Sequence, residues 1–197
     1  SLLTRARILP VLTIEDAPTA PALARALCDG GLSVLEVTLR TPAALSAIEA
    51  IAKAVPECTL GAGTVLTPAD LSAASRAGAT FAVSPGLTPA LLNANRALPW
   101  LPGVATASDI MAGLDAGLSI FKFFPAEAAG GVATLASFAG PFPQVRFCPT
   151  GGINASNIAA YRRRANVICV GGSWMIDAHA IGEARWNDVT AAARAAA

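Results

Sequence analysis

Lysine is scarce in this chain: Lys53 and Lys122 are the only two. Lys53 falls late in an Ala-rich helical pattern, where a solvated lysine is ordinary. Lys122 lies inside the apolar run Ile120-Phe121-Lys122-Phe123-Phe124. Desolvation in such a run disfavours the ammonium form. A neutral amine can attack a ketone and form a Schiff base. The other reading is a lysine that snorkels from a strand end and keeps its charge in water. The neighbouring residues fit both.

A second constellation is Val34-Leu35-Glu36-Val37-Thr38-Leu39-Arg40. Strand side chains alternate, so Glu36, Thr38 and Arg40 share one face, and Leu35, Val37 and Leu39 share the other. The apolar face packs under helices. Glu36 is then a carboxylate pointing inward, with Arg40 nearer the strand's C-terminal end. The two could serve acid–base chemistry and anion binding, or form a buried Glu–Arg ion pair that only shapes the core.

Glycine pairs supply a third feature. Cys148-Pro149-Thr150-Gly151-Gly152-Ile153 and Val170-Gly171-Gly172-Ser173 each end an apolar run. Glycines let backbone N–H groups approach an anion, and a following helix N-terminus favours its charge. Gly-Gly is also ordinary in plain turns. Thr64 in Gly61-Ala62-Gly63-Thr64 could offer a hydroxyl, and Ser84-Pro85-Gly86 ends another run; both also suit turn chemistry. His179 reads as a surface residue, and Trp100, Trp174 and Trp186 as packing groups.

These residues need elements to position them. Strands are expected at Ile8–Thr13, Val34–Thr38, Thr59–Gly61, Phe81–Val83, Leu101–Val104, Ile120–Phe123, Arg146–Pro149 and Val167–Val170. Their spacing averages about 23 residues, room for a strand, a helix and two short loops. Ala-rich segments such as Pro42–Val55 and Leu71–Ala77 carry apolar residues three or four apart, as helices do. Thr41-Pro42, Thr67-Pro68 and Thr88-Pro89 look like helix starts, and Gly30-Gly31, Gly78 and Gly117 like helix ends. Alternating strands and helices imply a parallel sheet. Eight units predict a compact (β/α)8 TIM barrel, one domain over residues 1–197. In such barrels, catalytic groups come from the C-terminal ends of strands, and phosphate binds after strands seven and eight. The competing open doubly wound sheet often carries GxGxxG after its first strand. Here Thr13-Ile14-Glu15-Asp16 follows instead.

Composition narrows the function classes. The chain has 197 residues, 54% hydrophobic and 14% charged, which suits a packed core rather than disorder. Its net charge is +1, so no nucleic-acid partner is expected. Arg162-Arg163-Arg164 reads as a solvated helix face. Mean hydropathy is +0.54, yet the longest uncharged stretch, between Glu127 and Arg146, is broken by Gly130-Gly131, Gly140-Pro141 and Pro143. A spanning helix needs about 20 unbroken apolar residues, so no membrane association is expected. The N-terminal residues show no signal-peptide pattern. Cys28, Cys58, Cys148 and Cys169 lack CxxC spacing, and with a single histidine no metal site is expected. Three of them sit among apolar neighbours and read as buried thiols. A reducing cytoplasm is the expected setting.

Taken together, Glu36-Val-Thr-Leu-Arg40-Thr41, Gly61-Ala-Gly-Thr64-Val, Ser84-Pro85-Gly86, Phe121-Lys122-Phe-Phe124-Pro-Ala-Glu127, Cys148-Pro-Thr150-Gly-Gly152-Ile and Val170-Gly-Gly-Ser173-Trp174 resemble the bacterial 2-keto-3-deoxy-6-phosphogluconate (KDPG) aldolases. These are class I lyases of the Entner–Doudoroff pathway. The resemblance covers most of the chain and implies a set of roles. Lys122 is the Schiff-base lysine and Glu36 the general acid/base. Arg40 and Thr64 bind the pyruvate-end carboxylate, and Pro85 and Phe124 wall the pocket. Thr150 contacts substrate and affects stereochemistry. Gly151, Gly152, Gly172 and Ser173 cradle phosphate. It also implies a phosphorylated keto-acid substrate, a homotrimer and no cofactor or metal. Alternatives on the same barrel are cleavage of 4-hydroxy-2-oxoglutarate or of the galactonate-derived epimer, or a non-catalytic assembly scaffold. Asn93–Pro102 is slightly shorter than the family's run, and the helix before the first strand is short or missing.

Overall fold

The computed structural model describes residues 6–94 and 98–197. Strands and helices alternate in the order β1 (Ile8–Leu12), α1 (Ala20–Asp29), β2 (Val34–Thr38), α2 (Ala44–Ala54), β3 (Thr59–Gly63), α3 (Pro68–Arg76), β4 (Phe81–Val83), α4 (Pro89–Leu92), β5 (Trp100–Leu101), β6 (Gly103–Val104), α5 (Ala107–Asp115), β7 (Ile120–Phe123), α6 (Gly131–Phe138), β8 (Arg146–Pro149), α7 (Ile158–Arg162), β9 (Val170–Gly172), α8 (Ala178–Gly182) and α9 (Trp186–Ala196).

All strand pairs are parallel. Their ladders form two segments of a curled sheet, ordered β5-β4-β3-β2-β1-β9 and β6-β7-β8. The result is an α/β fold, without one continuous eight-strand ladder. The seam between segments runs through Leu101–Val104, expected as one strand. Pro102 splits it, because proline has no N–H to give the ladder. Trp100–Leu101 pairs with β4 and Gly103–Val104 with β7. At the other edge, single parallel bridges join Phe147 to Val167 and Thr150 to Gly171.

Alternation divides the core. Lys122 faces inward because Phe121 and Phe123 face out. The two phenylalanines pack with Phe147, Leu135 and Tyr161 under α6 and α7. Leu35, Val37, Leu60 and Ala62 meet Leu23 and Leu27 of α1 and Ile48 and Ile51 of α2. Burying each such large apolar side chain contributes about 1.5–3 kcal/mol. Leu9, Val34, Phe81, Val83, Leu101, Cys148 and Cys169 form a separate cluster. Val34 shares its strand face with Glu36, so this cluster fills the interior beneath the polar groups.

Helix punctuation follows the residue types in most places. Thr67 and Asp70 form a reciprocal capping box on α3, and the Thr88 hydroxyl caps α4. Gly31, Gly78 and Gly117 adopt left-handed φ of 96°, 99° and 76° where helices end. Thr41 differs: α2 starts at Ala44, and the Thr41 hydroxyl instead donates to the Ile14 carbonyl at 2.5 Å. β1 ends at Leu12, one residue short of the expected Thr13, and two other strand boundaries move. β3 continues through Gly63, and the last strand is Val170–Gly172 rather than Val167–Val170. In both, glycines expected as turn residues are ladder residues, for reasons that lie in the site. Residues 95–97 of the Asn93–Pro102 run, and the first five residues, lie outside the described ones.

Candidate active site

Lys122 and Glu36 meet inside the curl. Lys122 Nζ lies 3.3 Å from Glu36 Oε1, with side chains 4% and 1% exposed. That burial removes the snorkelling reading of Lys122. Glu36 also does not pair with Arg40, contrary to the Glu–Arg alternative. The second carboxylate oxygen, Oε2, is buried and has no protein partner among the described residues. One oxygen thus holds the amine while the other is available to a hydroxyl or water.

The room for this carboxylate comes from Gly63. A Cβ there would sit 2.1 Å from Glu36 Oε1. This is why β3 carries a glycine in an extended, paired position opposite Thr38. Gly103 plays a matching part beside Lys122, its ladder partner. A Cβ on Gly103 would stand 2.1 Å from the Pro85 carbonyl oxygen, so the Ser84-Pro85-Gly86 turn lies directly against β6. The Ser84 hydroxyl donates to the Gly86 carbonyl at 2.6 Å and accepts from Trp100 Nε1 at 3.0 Å.

At the C-terminal end of β2, Arg40 is exposed and its Nε donates to Thr64 Oγ1 at 2.9 Å. Thr64 has a left-handed φ of 56°, rare for a β-branched residue. Strain of this kind costs about 1–3 kcal/mol and persists where neighbours hold it. Here Leu39 N–H to Gly63 O and Val65 N–H to Val83 O, at 2.8 and 3.1 Å, fix the flanking backbone. The guanidinium and hydroxyl share one rim of the site, a pairing suited to a carboxylate.

On the opposite rim, the Phe124 ring centroid lies 5.1 Å from Lys122 Nζ. A Cβ on Gly151 would come 3.4 Å from the Phe124 ring, so the first glycine turn adjoins this wall. Thr150 is buried and bridges Gly171. A Cβ on Gly171 would reach 2.2 Å from Thr150 Oγ1, and one on Gly172 the same distance from the Trp174 ring. Those neighbours explain why β9 ends in paired glycines, and they bring both turns to adjacent strand ends. Among the described residues, the N–H groups of Gly151, Gly152 and Ser173 donate to no backbone carbonyl. Successive free N–H groups make an anion-binding concavity. The helix contribution expected from sequence is not there: α7 starts only at Ile158 and has five residues.

The model of the KDPG and KHG aldolase family matches residues 1–192. The chain belongs to that family. A KHG/KDPG aldolase of Escherichia coli (strain K12) is 50% identical over 198 residues, spanning 100% of this chain and 93% of the relative. A solved KDPG aldolase from Legionella pneumophila, with pyruvate captured at low pH as a covalent carbinolamine intermediate, is 46% identical. It superposes with a TM-score of 0.96 over 98% of this chain and 95% of that one. A Zymomonas mobilis ZM4 2-keto-3-deoxy-6-phosphogluconate aldolase solved with 3-phosphoglycerate is 50% identical, with a TM-score of 0.86 over 99% and 96% of the two chains.

In this KDPG and KHG aldolase family member, sequence reasoning missed the supports rather than the reactive groups. Trp100 and Ser84, read as packing and turn residues, form the hydrogen-bonded brace of the Pro85 turn. Gly63 and Gly103 are spacers for the carboxylate and for Pro85. Gly103 stood inside the expected strand Leu101–Val104, where a glycine marks close approach of another group, whereas Gly63 lay past the expected end of its strand and read as a turn residue. His179 is exposed on α8, as expected, with its side chain 73% accessible. Of the four thiols, Cys148 and Cys169 are buried, while Cys28 and Cys58 are half-buried.

Proposed function

We propose that the chain is a class I aldolase that cleaves 2-keto-3-deoxy-6-phosphogluconate to pyruvate and glyceraldehyde 3-phosphate. The observation that carries this is the buried Lys122–Glu36 pair at 3.3 Å, with the second glutamate oxygen free. The covalent pyruvate adduct named for the Legionella relative supports it.

The chemistry follows from that pair. Lys122 gives its proton to the Glu36 side and attacks the C2 ketone through its nitrogen lone pair. Glu36 returns that proton to the carbinolamine hydroxyl, which leaves as water and gives the iminium, with Glu36 a carboxylate again. Glu36, through Oε2 or a water held there, takes the C4 hydroxyl proton. The C4 oxygen pair forms the aldehyde carbonyl, the C3–C4 bond breaks, and its electrons flow to the iminium nitrogen as an enamine. Returning a proton to C3 and adding water releases pyruvate and the free lysine. General acid–base help of this kind is worth about 10²–10⁴-fold. Arg40 and Thr64 hold the C1 carboxylate, Pro85, Phe124 and Thr150 line the pocket, and Gly151, Gly152, Gly172 and Ser173 receive the phosphate. The iminium is the electron sink, so the scheme calls on no cofactor.

We further infer that the curled sheet acts as a closed eight-stranded barrel. Pairing of the Trp100–Val104 segment with both β4 and β7, and the bridges at Phe147 and Thr150, support that reading. A homotrimer is part of the same proposal. Leu66 and Met111, 56% and 57% exposed, are apolar side chains that subunit contact would remove from water. No helix among the described residues is long and apolar enough to cross a membrane, and four unpaired thiols fit a cytoplasmic enzyme.

Borohydride trapping with pyruvate, followed by peptide mapping, tests the mechanism. The expected result is a reduced adduct on Lys122; folded protein without an adduct removes the class I scheme and leaves a non-catalytic scaffold. The E. coli relative's name covers KHG as well as KDPG. Turnover of 4-hydroxy-2-oxoglutarate, and of the galactonate-derived epimer, above that of the gluconate substrate would overturn the substrate assignment. Light scattering in solution tests the trimer.

A further inference from the structure

The loop after β7 and the glycine turn after β8 are joined by backbone hydrogen bonds: Ala126 N–H to Thr150 O at 2.8 Å and Glu127 N–H to Gly151 O at 3.1 Å. The side chain of Glu127 then lies along the turn. A Cβ on Gly152 would stand 2.7 Å from Glu127 Cγ and 2.8 Å from Glu127 Cβ. Gly152, with φ of 77°, is therefore excluded from carrying a side chain twice over, by backbone and by Glu127. Its carbonyl accepts from Asn157 Nδ2 at 3.1 Å.

The Glu127 carboxylate is itself fixed. The Tyr161 hydroxyl donates to Glu127 Oε1. Tyr161, on α7, is fully buried and packs in the cluster of Phe121, Phe123 and Phe147. Burial and the adjacent carboxylate both hold the phenol protonated, well above its usual range. A carboxylate only accepts, so the phenol is the donor and the bond has a single direction. Phe124 and Glu127 follow Lys122 closely in the chain, while Tyr161 belongs to the helix after the turn. The pair thus couples the lysine strand to the phosphate end of the site.

We propose that Glu127 and Tyr161 are positioning residues for the phosphate end of the substrate. They hold the Gly151–Gly152 N–H groups at a set height relative to Lys122. This rests on the reading of the glycine turns as the phosphate cradle. Neither residue contacts the reacting carbons, so their loss alters capture of the phosphorylated substrate rather than bond cleavage.

The test compares wild type with Tyr161→Phe, Glu127→Ala and Glu127→Gln. Each is assayed for kcat and KM on 2-keto-3-deoxy-6-phosphogluconate and on unphosphorylated 4-hydroxy-2-oxoglutarate, with pyruvate trapping at Lys122 alongside. Tyr161→Phe and Glu127→Ala are expected to raise KM for the phosphorylated substrate about three- to tenfold, the usual reach of one hydrogen bond. KM for the unphosphorylated substrate, kcat and trapping stay near wild type. Glu127→Gln keeps an acceptor for the tyrosine and restores KM. Glu127 is exposed, so its variants keep the test readable if Tyr161→Phe destabilises the fold. Unchanged KM in both deletion variants, or equal losses on both substrates, overturns the proposal while leaving the cradle intact. A wild-type enzyme indifferent to the phosphate removes the cradle reading and this proposal with it.

Discussion

Gly63→Ala isolates the geometry of the Lys122–Glu36 pair without touching either residue. The added methyl would lie 2.1 Å from Glu36 Oε1, 2.6 Å from Cγ and 2.7 Å from Cδ. Ordinary contact is about 3.5 Å, so the carboxylate must move by about 1.4 Å or the strands must separate. Gly63 is paired in the centre of the sheet between β2 and β4, which leaves the carboxylate as the softer partner. Its φ is not left-handed, so alanine itself is conformationally acceptable. Overpacking of this size costs about 1–3 kcal/mol, which a core of this size can absorb. Displacing a catalytic group by about 1 Å costs about 100-fold. The expected outcome is folded protein with kcat reduced about 100-fold in a coupled pyruvate-release assay. Trapping of pyruvate on Lys122 is slowed but directed to the same residue. A folded Gly63→Ala enzyme with kcat within about twofold of wild type would refute the spacing argument for Glu36.

Three further outcomes follow from other parts of the molecule. Lys122→Met abolishes borohydride trapping and leaves Glu36 buried without its partner, a loss of about 3–5 kcal/mol; adding Glu36→Gln restores most of that stability in denaturant melts but no activity. Thr67→Ala removes the capping box of α3 and lowers stability by about 0.5–2 kcal/mol with kcat unchanged. At Asp109, burial pushes the carboxyl up, but N–H groups of Ala105 and Thr106 and the Thr106 hydroxyl outweigh it and hold the carboxyl below its ordinary value. The folded value lies below the unfolded one, near 4. Its contribution is therefore complete above that pH and is lost as pH falls through the folded value. Denaturation midpoints at pH 7 and pH 3 should differ less in Asp109→Asn than in wild type.

Much of the site was legible in local pattern. Period-two alternation placed Glu36 and Thr38 on the inner face, because their neighbours are large apolar residues that must meet helices, while for Lys122 the same kind of neighbours left open a snorkelling reading that its burial removes. Thr67-Pro68 and Thr88-Pro89 announced helix starts through capping chemistry that acts within four residues. Thr41-Pro42 misled because a partner distant in sequence, the Ile14 carbonyl, competed for the same hydroxyl. The glycines at 63, 171 and 172 also misled. A glycine reads as a turn when viewed along the chain, but here it marks where Glu36, Thr150 or Trp174 occupies the space of a missing side chain.

The sequence by itself determined which residue types were candidates for chemistry and that Glu36 and Thr38 share a strand face, since alternation and capping depend only on near neighbours. Only the tertiary structure decided who meets whom. Glu36 finds Lys122, 86 residues away, rather than Arg40 four residues on. Arg40 turns outward to a strained Thr64, and Tyr161 reaches back to Glu127 behind the glycine turn. These choices depend on how the strands curl and register across the sheet, and register is set by contacts summed over the whole core, which no local window contains.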